Sequence, residues 1–371
     1  MKVLFLTNIP APYRIDFFNE LGNYCELTVL FERSTATDRN KEWVSSEVQN
    51  FRPVFLKGIN VGHDGAFCPS IAKWLKKNLF DIFIVGGYST PTGIFAIETL
   101  RARGIPFILN SDGGIVKQDK LLKYAIKKHY IGSASWWLST GSETDKYLVY
   151  YGASKDNIYT YPFTSTSSAD IVNAPVSGQE KRVLRQELGI KGEQVVLTVG
   201  QFINRKGIDV LLKAWKFIPE ATTLIIVGEG PDKQKLVDLK NELNLSDVMF
   251  ESFKKKEELM RYYRAADLFV LPTREDIWGL VVNEAMAQGL PVITTKNCVA
   301  GIELINESVN GCIVPSDDVN ALAKGILRVL NDKKLRTIMS HNNLKKMKLY
   351  TIEAMAKKHF EILTHIKEEM K

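Results

Sequence analysis

Residues 267–295 read DLFVLPTREDIWGLVVNEAMAQGLPVITT and predict a strand, a tight loop, a helix and a second strand in quick succession. Leu268 to Leu271 is an apolar run stopped by Pro272, which cannot donate into a sheet ladder. Gly289 closes the helix before the next apolar run, Leu290 to Ile293. Loop 273–278 therefore falls at the carboxyl end of a strand, the edge of an open parallel sheet where ligands bind. The helix that follows offers unpaired N–H groups and a positive dipole end to an anion, and Gly279 allows a phosphate to come close. Asp276 lies in this loop and Glu284 eight residues later, at about 1.5 Å rise per residue roughly 12 Å further along. That separation is too long for one shared proton. It suits a ligand with polar groups at both ends of a diphosphate, Glu284 binding ribose hydroxyls and Asp276 facing a sugar. Spacing alone leaves open the plainer reading, in which Glu284 follows the helix start and Asp276 caps a loop.

The chain around this unit has 371 residues, enough for two domains that each bury a core. Hydrophobic residues at 45% and charged residues at 25% fit a globular enzyme, and no apolar run approaches the length of a membrane span. The opening MKVLFLTN is broken too soon by Asn8, Pro10 and Pro12 for a signal peptide and reads as a buried strand, so a cytoplasmic protein is expected. Cys25, Cys68, Cys298 and Cys312 are too scattered for a zinc site or disulfide framework. A net charge of +7 calls for an anionic partner, which composition alone does not choose among nucleic acid, a membrane surface and a phosphorylated substrate.

Strand–loop–helix units recur throughout. Lys2 to Thr7 is followed by a loop and a helix with Phe17, Phe18 and Leu21 on one face; this loop lacks the G-x-G-x-x-G of a dinucleotide fold. Asp81 to Val85 runs into Gly86-Gly87-Tyr88, and the strand at 105–110 delivers Asp112 to the same edge. Helix 117–131 is expected to carry Leu121, Leu122, Ala125 and Ile126 on one side and Lys120, Lys123, Lys127 and Lys128 on the other. Packing of that helix on its own sheet and peripheral contact with an anionic membrane both fit; no nucleic-acid module accompanies it. Residues 166–182, rich in small and polar side chains, are expected to link an amino lobe (1–165) to a carboxyl lobe (183–351). In that second lobe Gln194 to Val199, Thr223 to Val227 and Leu268 to Leu271 are strands, and Asn310-Gly311 predicts a hairpin.

The stretch DIWGLVVNEAMAQGLPVI resembles the E-x7-E signature of retaining GT-B glycosyltransferases of family 4, with Asp276 at the first acidic position and Glu275 just before it. The resemblance covers nearly the whole chain, most strongly 195–315. It implies an α/β GT-B fold: two facing Rossmann-like domains with a deep interdomain cleft, the last helix (352–371) returning to the first lobe. It also implies sugar transfer from a nucleotide-diphospho-sugar to a glycan or lipid-linked acceptor, as in bacterial surface polysaccharide assembly. GQFINRKGID is similar to the family's diphosphate loop, with Lys206 at the lysine, Gln201 where arginine is usual, and Arg205 as a substitute cation. By the same resemblance Gly200, Gly228, Trp278, Gly279, Leu280 and Glu284 line the donor site, while Ser252, Phe253 and Lys254 meet the base through main chain. Arg14, Tyr13, Tyr88 and Asp112 line the acceptor site, Asp112 standing where many relatives carry histidine. Asp276, Lys206 and Arg205 are the expected catalytic residues. No D-x-D occurs among the loops, so no metal and no cofactor are expected. A GT-B nucleotide-sugar epimerase and a non-catalytic nucleotide-sugar-binding protein remain as alternatives.

Overall fold

A computed structural model describes residues 1–35, 47–62 and 64–370. Residues 36–46 and 63, within the predicted amino lobe, and residue 371, at the end of its returning helix, lie outside the described residues. The chain divides into two compact units, 1–165 with 351–371, and 166–350.

The first unit contains β1 (Lys2–Thr7), α1 (Pro12–Gly22), β2 (Glu26–Phe31), β3 (Arg52–Phe55), the short pair β4 (Ile59–Val61) and β5 (Gly65–Phe67), and β6 (Ile82–Val85). It continues through α2 (Pro91–Ala102), β7 (Ile108–Asn110), α3 (Leu121–Ile131), β8 (Trp136–Ser139), α4 (Ser142–Tyr150) and β9 (Ile158–Thr160). Among the described residues, seven strands form one parallel sheet in the order β3-β2-β1-β6-β7-β8-β9. The strands are continuous apolar runs because helices cover both faces of a parallel sheet. Leu4, Leu6, Phe83, Val85 and Leu109 are buried with Ile97, Trp137 and Tyr151 in one core. The sequence reading passed over Trp136-Trp137 as a strand. Trp137 is buried with its indole N–H donated to the Ile131 carbonyl (2.8 Å), while Trp136 donates to Glu369 (3.0 Å).

The second unit opens with α5 (Gly178–Glu187), whose first turn takes up residues 178–182 of the expected linker; Ser168–Asp170 within that stretch is a short 3-10 turn. There follow β10 (Gln194–Val199), α6 (Ile208–Trp215), β11 (Thr222–Val227), α7 (Lys233–Glu242), β12 (Val248–Glu251), α8 (Lys256–Ala265), β13 (Leu268–Leu271), α9 (Leu280–Ala287) and β14 (Val292–Thr295). The unit ends with α10 (Val299–Leu304), β15 (Gly311–Val314), α11 (Val319–Asn331) and α12 (Lys333–Met347). Its sheet is parallel, in the order β12-β11-β10-β13-β14-β15. The strand order reverses between β10 and β13, the position where open α/β sheets take ligands. Gly207 makes the approach of those two loops possible: its φ is 66°, and a Cβ there would lie 2.1 Å from the Pro272 carbonyl oxygen. The predicted Asn310-Gly311 hairpin does not form. β15 pairs in parallel with β14, and the Asn310 side chain instead caps its own loop, accepting from the Asn306 N–H and donating to the Leu304 carbonyl.

The last helix, α13 (Ile352–Glu369), belongs to the first unit. His359 packs between the rings of Phe17 (4.6 Å) and Tyr161 (4.2 Å), and Phe360 stacks on Tyr24. Burial lowers the His359 imidazole to about 4, so it serves as a neutral packing ring.

At the carboxyl end of β2 the buried Glu32 accepts hydrogen bonds from Thr90 Oγ1 (2.5 Å) and the Ala66 N–H (3.0 Å). Burial nevertheless pushes its carboxyl up to about 7 from an ordinary 4.5. The folded form then holds a proton that the unfolded chain has lost, and the stabilisation this brings, full below pH 4.5, is lost as pH rises through 7. Glu32→Gln should therefore melt progressively higher relative to wild type across that window. A melting difference that stays constant with pH would contradict this.

Candidate functional site in the second unit

The site is built by two loops that leave neighbouring strands. After β10 the chain turns through Gly200, Gln201 and a 3-10 turn at Asn204–Lys206. After β13 it runs through Thr273 to Trp278 into α9. Backbone and side chain tie the two together. The Arg205 carbonyl accepts from the Arg274 N–H (2.8 Å) and from Thr273 Oγ1 (2.9 Å), and the Arg205 guanidinium donates to the Glu275 carbonyl (2.8 Å).

This arrangement brings the three expected catalytic side chains to one point. Lys206 Nζ donates to Asp276 Oδ2 at 2.6 Å, and Arg205 Nη1 stands 3.7 Å from Asp276 Oδ1. Asp276 is fixed from the other side by its own backbone, its N–H donating to the Asn297 carbonyl (2.9 Å) and its carbonyl accepting from the Val299 N–H (3.1 Å). Asp276 is buried, Glu275 half-buried, and the next residue, Ile277, exposed. Cys298 lies beneath the loop, with its thiol donating to the Trp278 carbonyl. Burial, and then the nearby Asp276 charge, push that thiol up to about 12, so no second anion forms next to the carboxylate.

Gly279 has φ of 101° and caps α9, so the helix begins with backbone N–H groups at Leu280 and Val281 directly after the Asp276 turn. Glu284 lies within α9, where Tyr263 donates to its Oε2 (3.0 Å). Gly200 and Gly228 end β10 and β11 next to each other, the Gly200 N–H donating to the Val227 carbonyl and a Cβ on Gly228 lying 1.9 Å from the Gly200 oxygen. Ser252 and Phe253 follow β12 as irregular chain, and Lys254 pairs with Glu251 (3.2 Å) and Glu258 (3.0 Å).

Two expectations need correction. Trp278 was expected to face the donor sugar, but it is 2% exposed and its indole N–H donates to Asn283 (2.9 Å), so the ring is part of the packing under α9. In the first unit, Arg14 and Asp112 were expected to meet an acceptor. They meet each other instead in an ion pair, Asp112 also accepting from Asn110 (2.8 Å) and Tyr161 (3.1 Å). Arg14 is buried, with its guanidinium 5.4 to 5.9 Å from the ring centres of Tyr13, Phe163 and Phe5, so it holds the core and is not available to a substrate. Tyr88 shares a hydrogen bond with the Tyr147 hydroxyl.

Sequence reasoning missed Arg274, the clamp of the two loops. It holds Asp209 in a two-point contact (2.9 and 2.8 Å), Asp317 through Nε (2.7 Å) and the Asn204 carbonyl (2.6 Å). Asp209 lies 65 residues away and Asp317 lies 43, so no local pattern could show the cluster.

Residues 180–346 match the family described as glycosyl transferases group 1. An uncharacterized glycosyltransferase of Methanocaldococcus jannaschii is 34% identical over 172 residues, covering 45% of this chain and 44% of that protein. Mannosylfructose-phosphate synthase of Agrobacterium fabrum is 33% identical over 169 residues, covering 42% and 36%. The matched stretch thus spans less than half the length of these relatives. Anabaena HepE, solved in complex with UDP, superposes with a TM-score of 0.79 at 17% identity, covering 98% of this chain and 100% of that one; HepE was also solved with UDP-glucose. At such identity the likeness speaks for the fold, and the two parallel-sheet units have the GT-B fold.

Removing the Arg274 clamp should loosen the site from a distance. Arg274→Ala is expected to lower the stability of the chain by about 1–3 kcal/mol in urea unfolding, the usual worth of hydrogen bonds to charged groups. Lys213→Ala, which removes a 3.9 Å contact to the same Asp209, should cost less than about 0.5 kcal/mol. Equal losses would show that Arg274 is no clamp.

Proposed function

Residues 180–346 are a domain of the glycosyl transferases group 1 family, and from that premise we propose that the chain transfers a sugar, with retention of anomeric configuration, from a nucleotide-diphospho-sugar to a glycan or lipid-linked acceptor. The observation that carries this reading is the meeting of Lys206, Arg205 and Asp276 where the strand order reverses between β10 and β13, one turn before the N-terminal N–H groups of α9. Rupture of the bond between the anomeric carbon and the diphosphate oxygen places growing negative charge on the leaving group. Two cations and a helix N-terminus stabilise that charge without a metal ion. The bond to the acceptor oxygen forms on the same face of the sugar, and the acceptor's proton passes to the departing phosphate oxygen.

Within this reading each side chain has a distinct task. Glu284, five residues into α9 and oriented by Tyr263, accepts the ribose hydroxyls. Asp276 holds Lys206 in place and presents its charge toward the sugar as that ring becomes cationic. Gly200, Gln201, Gly228 and the 252–254 main chain border the nucleotide, and the first unit receives the acceptor. HepE, solved in complex with UDP and with UDP-glucose, supports a nucleoside diphosphate as the carrier of the sugar.

Two experiments test it. Asp276→Asn should cut turnover about a hundredfold while the free nucleoside diphosphate binds as well or better, because a carboxylate competing for Lys206 is gone; Glu275→Gln should be nearly silent, and Glu284→Ala should abolish nucleotide binding in calorimetry. The opposite order of damage at 275 and 276 would shift the sugar-facing role to Glu275. Activity in EDTA should equal that in magnesium or manganese. Loss in chelator, restored by either ion, would overturn metal-free departure.

A further inference from the structure

In helix α3 the apolar side faces solvent, the arrangement that fits a peripheral contact and not packing on its own sheet. Leu121 and Leu122 are 88% and 75% exposed, Ile126 is 47% exposed, and Val116 in the segment before the helix is 41% exposed. The side held against the unit is formed by Tyr124, Lys127 and Ile131: the Tyr124 ring packs on Tyr150 (5.3 Å) and Tyr151 (5.6 Å), and Ile131 is fully buried. Lys127 is held there by charge. Its Nζ donates to Asp119 at 2.8 Å and sits 4.7 Å from the centre of the Tyr151 ring, while the Asp119 side chain is 3% exposed and also accepts from the Tyr151 hydroxyl. These bonds hold the Asp119 carboxyl well below the usual carboxylate range. Asp119 also pairs with the exposed Lys123 (2.9 Å), and turning the leucines inward would break the more buried Lys127 contact. The ion pair therefore fixes the rotation of the helix, and the apolar side faces solvent.

Two adjacent exposed leucines add nothing to folding, but each favours any event that removes it from water. The surrounding charge selects the occupant. Residues 116–131 contain five lysines and one acidic residue, Asp119, whose charge is spent internally. On the helix, Lys123 and Lys128 flank the leucines on opposite sides, and Lys120 precedes them; all three are exposed. An apolar strip bordered by lysines matches a surface that is apolar within and anionic at its rim. No helix among the described residues is long and apolar enough to cross a bilayer, so this match is to a surface and not to a span.

We propose that α3 seats the protein on an anionic lipid surface, Leu121, Leu122 and Ile126 entering the acyl boundary while Lys120, Lys123 and Lys128 meet the headgroups. Lys127, which composition alone would group with them, is held inward against Asp119 and takes no part, while Lys123, paired with the same carboxylate, has a side chain that is 63% exposed and stays at the rim. The proposal does not depend on glycosyl transfer, because binding is read without donor or acceptor.

The test is flotation of the full chain with vesicles of phosphatidylglycerol and phosphatidylcholine against vesicles of phosphatidylcholine alone, at low and high salt. Wild type should partition onto the anionic vesicles at least about tenfold more strongly than onto the neutral ones, and less so at high salt. Leu121→Ser with Leu122→Ser should lower that binding about tenfold or more with an unchanged melting temperature, since both side chains are already exposed. Lys120→Gln, Lys123→Gln and Lys128→Gln together should flatten the salt dependence, and this set reads the same surface should the leucine variant misfold. Equal binding to both vesicles, binding to neither, or a leucine variant that floats like wild type would overturn the proposal. So would a leucine-dependent dimer by light scattering in the absence of lipid, which would assign the strip to a second copy of the chain.

Discussion

Everything in the second unit that bears on chemistry depends on one constraint: the loops after β10 and β13 must come together at the point where the strand order reverses. They are brought together by a short ion pair, Lys206 to Asp276 at 2.6 Å, and the contact is possible because Gly207 has no side chain to strike the Pro272 carbonyl. A lysine held this way is already stripped of much of its water and aimed at the mouth of a helix. On the proposed function, an incoming diphosphate would have only to share or displace one carboxylate to obtain it, and the first turn of α9 would supply N–H groups with no reorganisation. The clamp of Arg274 on Asp209 and Asp317 supports the same geometry from outside the site.

The first unit handles its ions differently. Arg14 with Asp112, and Lys127 with Asp119, are partnered pairs packed among aromatic rings, and both serve to orient structure. Residues that share a sheet edge with an expected substrate are thus not all turned toward it. Arg14 is sealed by three rings and paired with Asp112.

The sequence showed the fold well where the signal was local. β1, β10 and β13 begin and end where their apolar runs do, and the loop-to-helix unit at 272–287 is readable from Pro272, Gly279 and Gly289. Lys206 and Asp276 were identified from their loops. Their contact, between residues 70 apart, depends on strand order, which apolar runs do not encode. At α3 periodicity found the apolar side but left open which way it turns; the side that packs is set by a lysine whose partner, Asp119, lies before the helix. Trp278 misled for a related reason, since an aromatic next to a binding loop has the same sequence signature whether it stacks on a ligand or fills the space beneath a helix.

That Lys206 meets a diphosphate can be tested without knowing the sugar or the acceptor. Calorimetric titration of a nucleoside diphosphate and of the matching monophosphate into wild type and Lys206→Met separates the cation's role from that of the nucleoside contacts. Loss of at least about tenfold in diphosphate affinity, with the monophosphate changed by less than about threefold, is the result expected of a lysine that meets the outer phosphate. Equal losses for both ligands, or none for either, would contradict it.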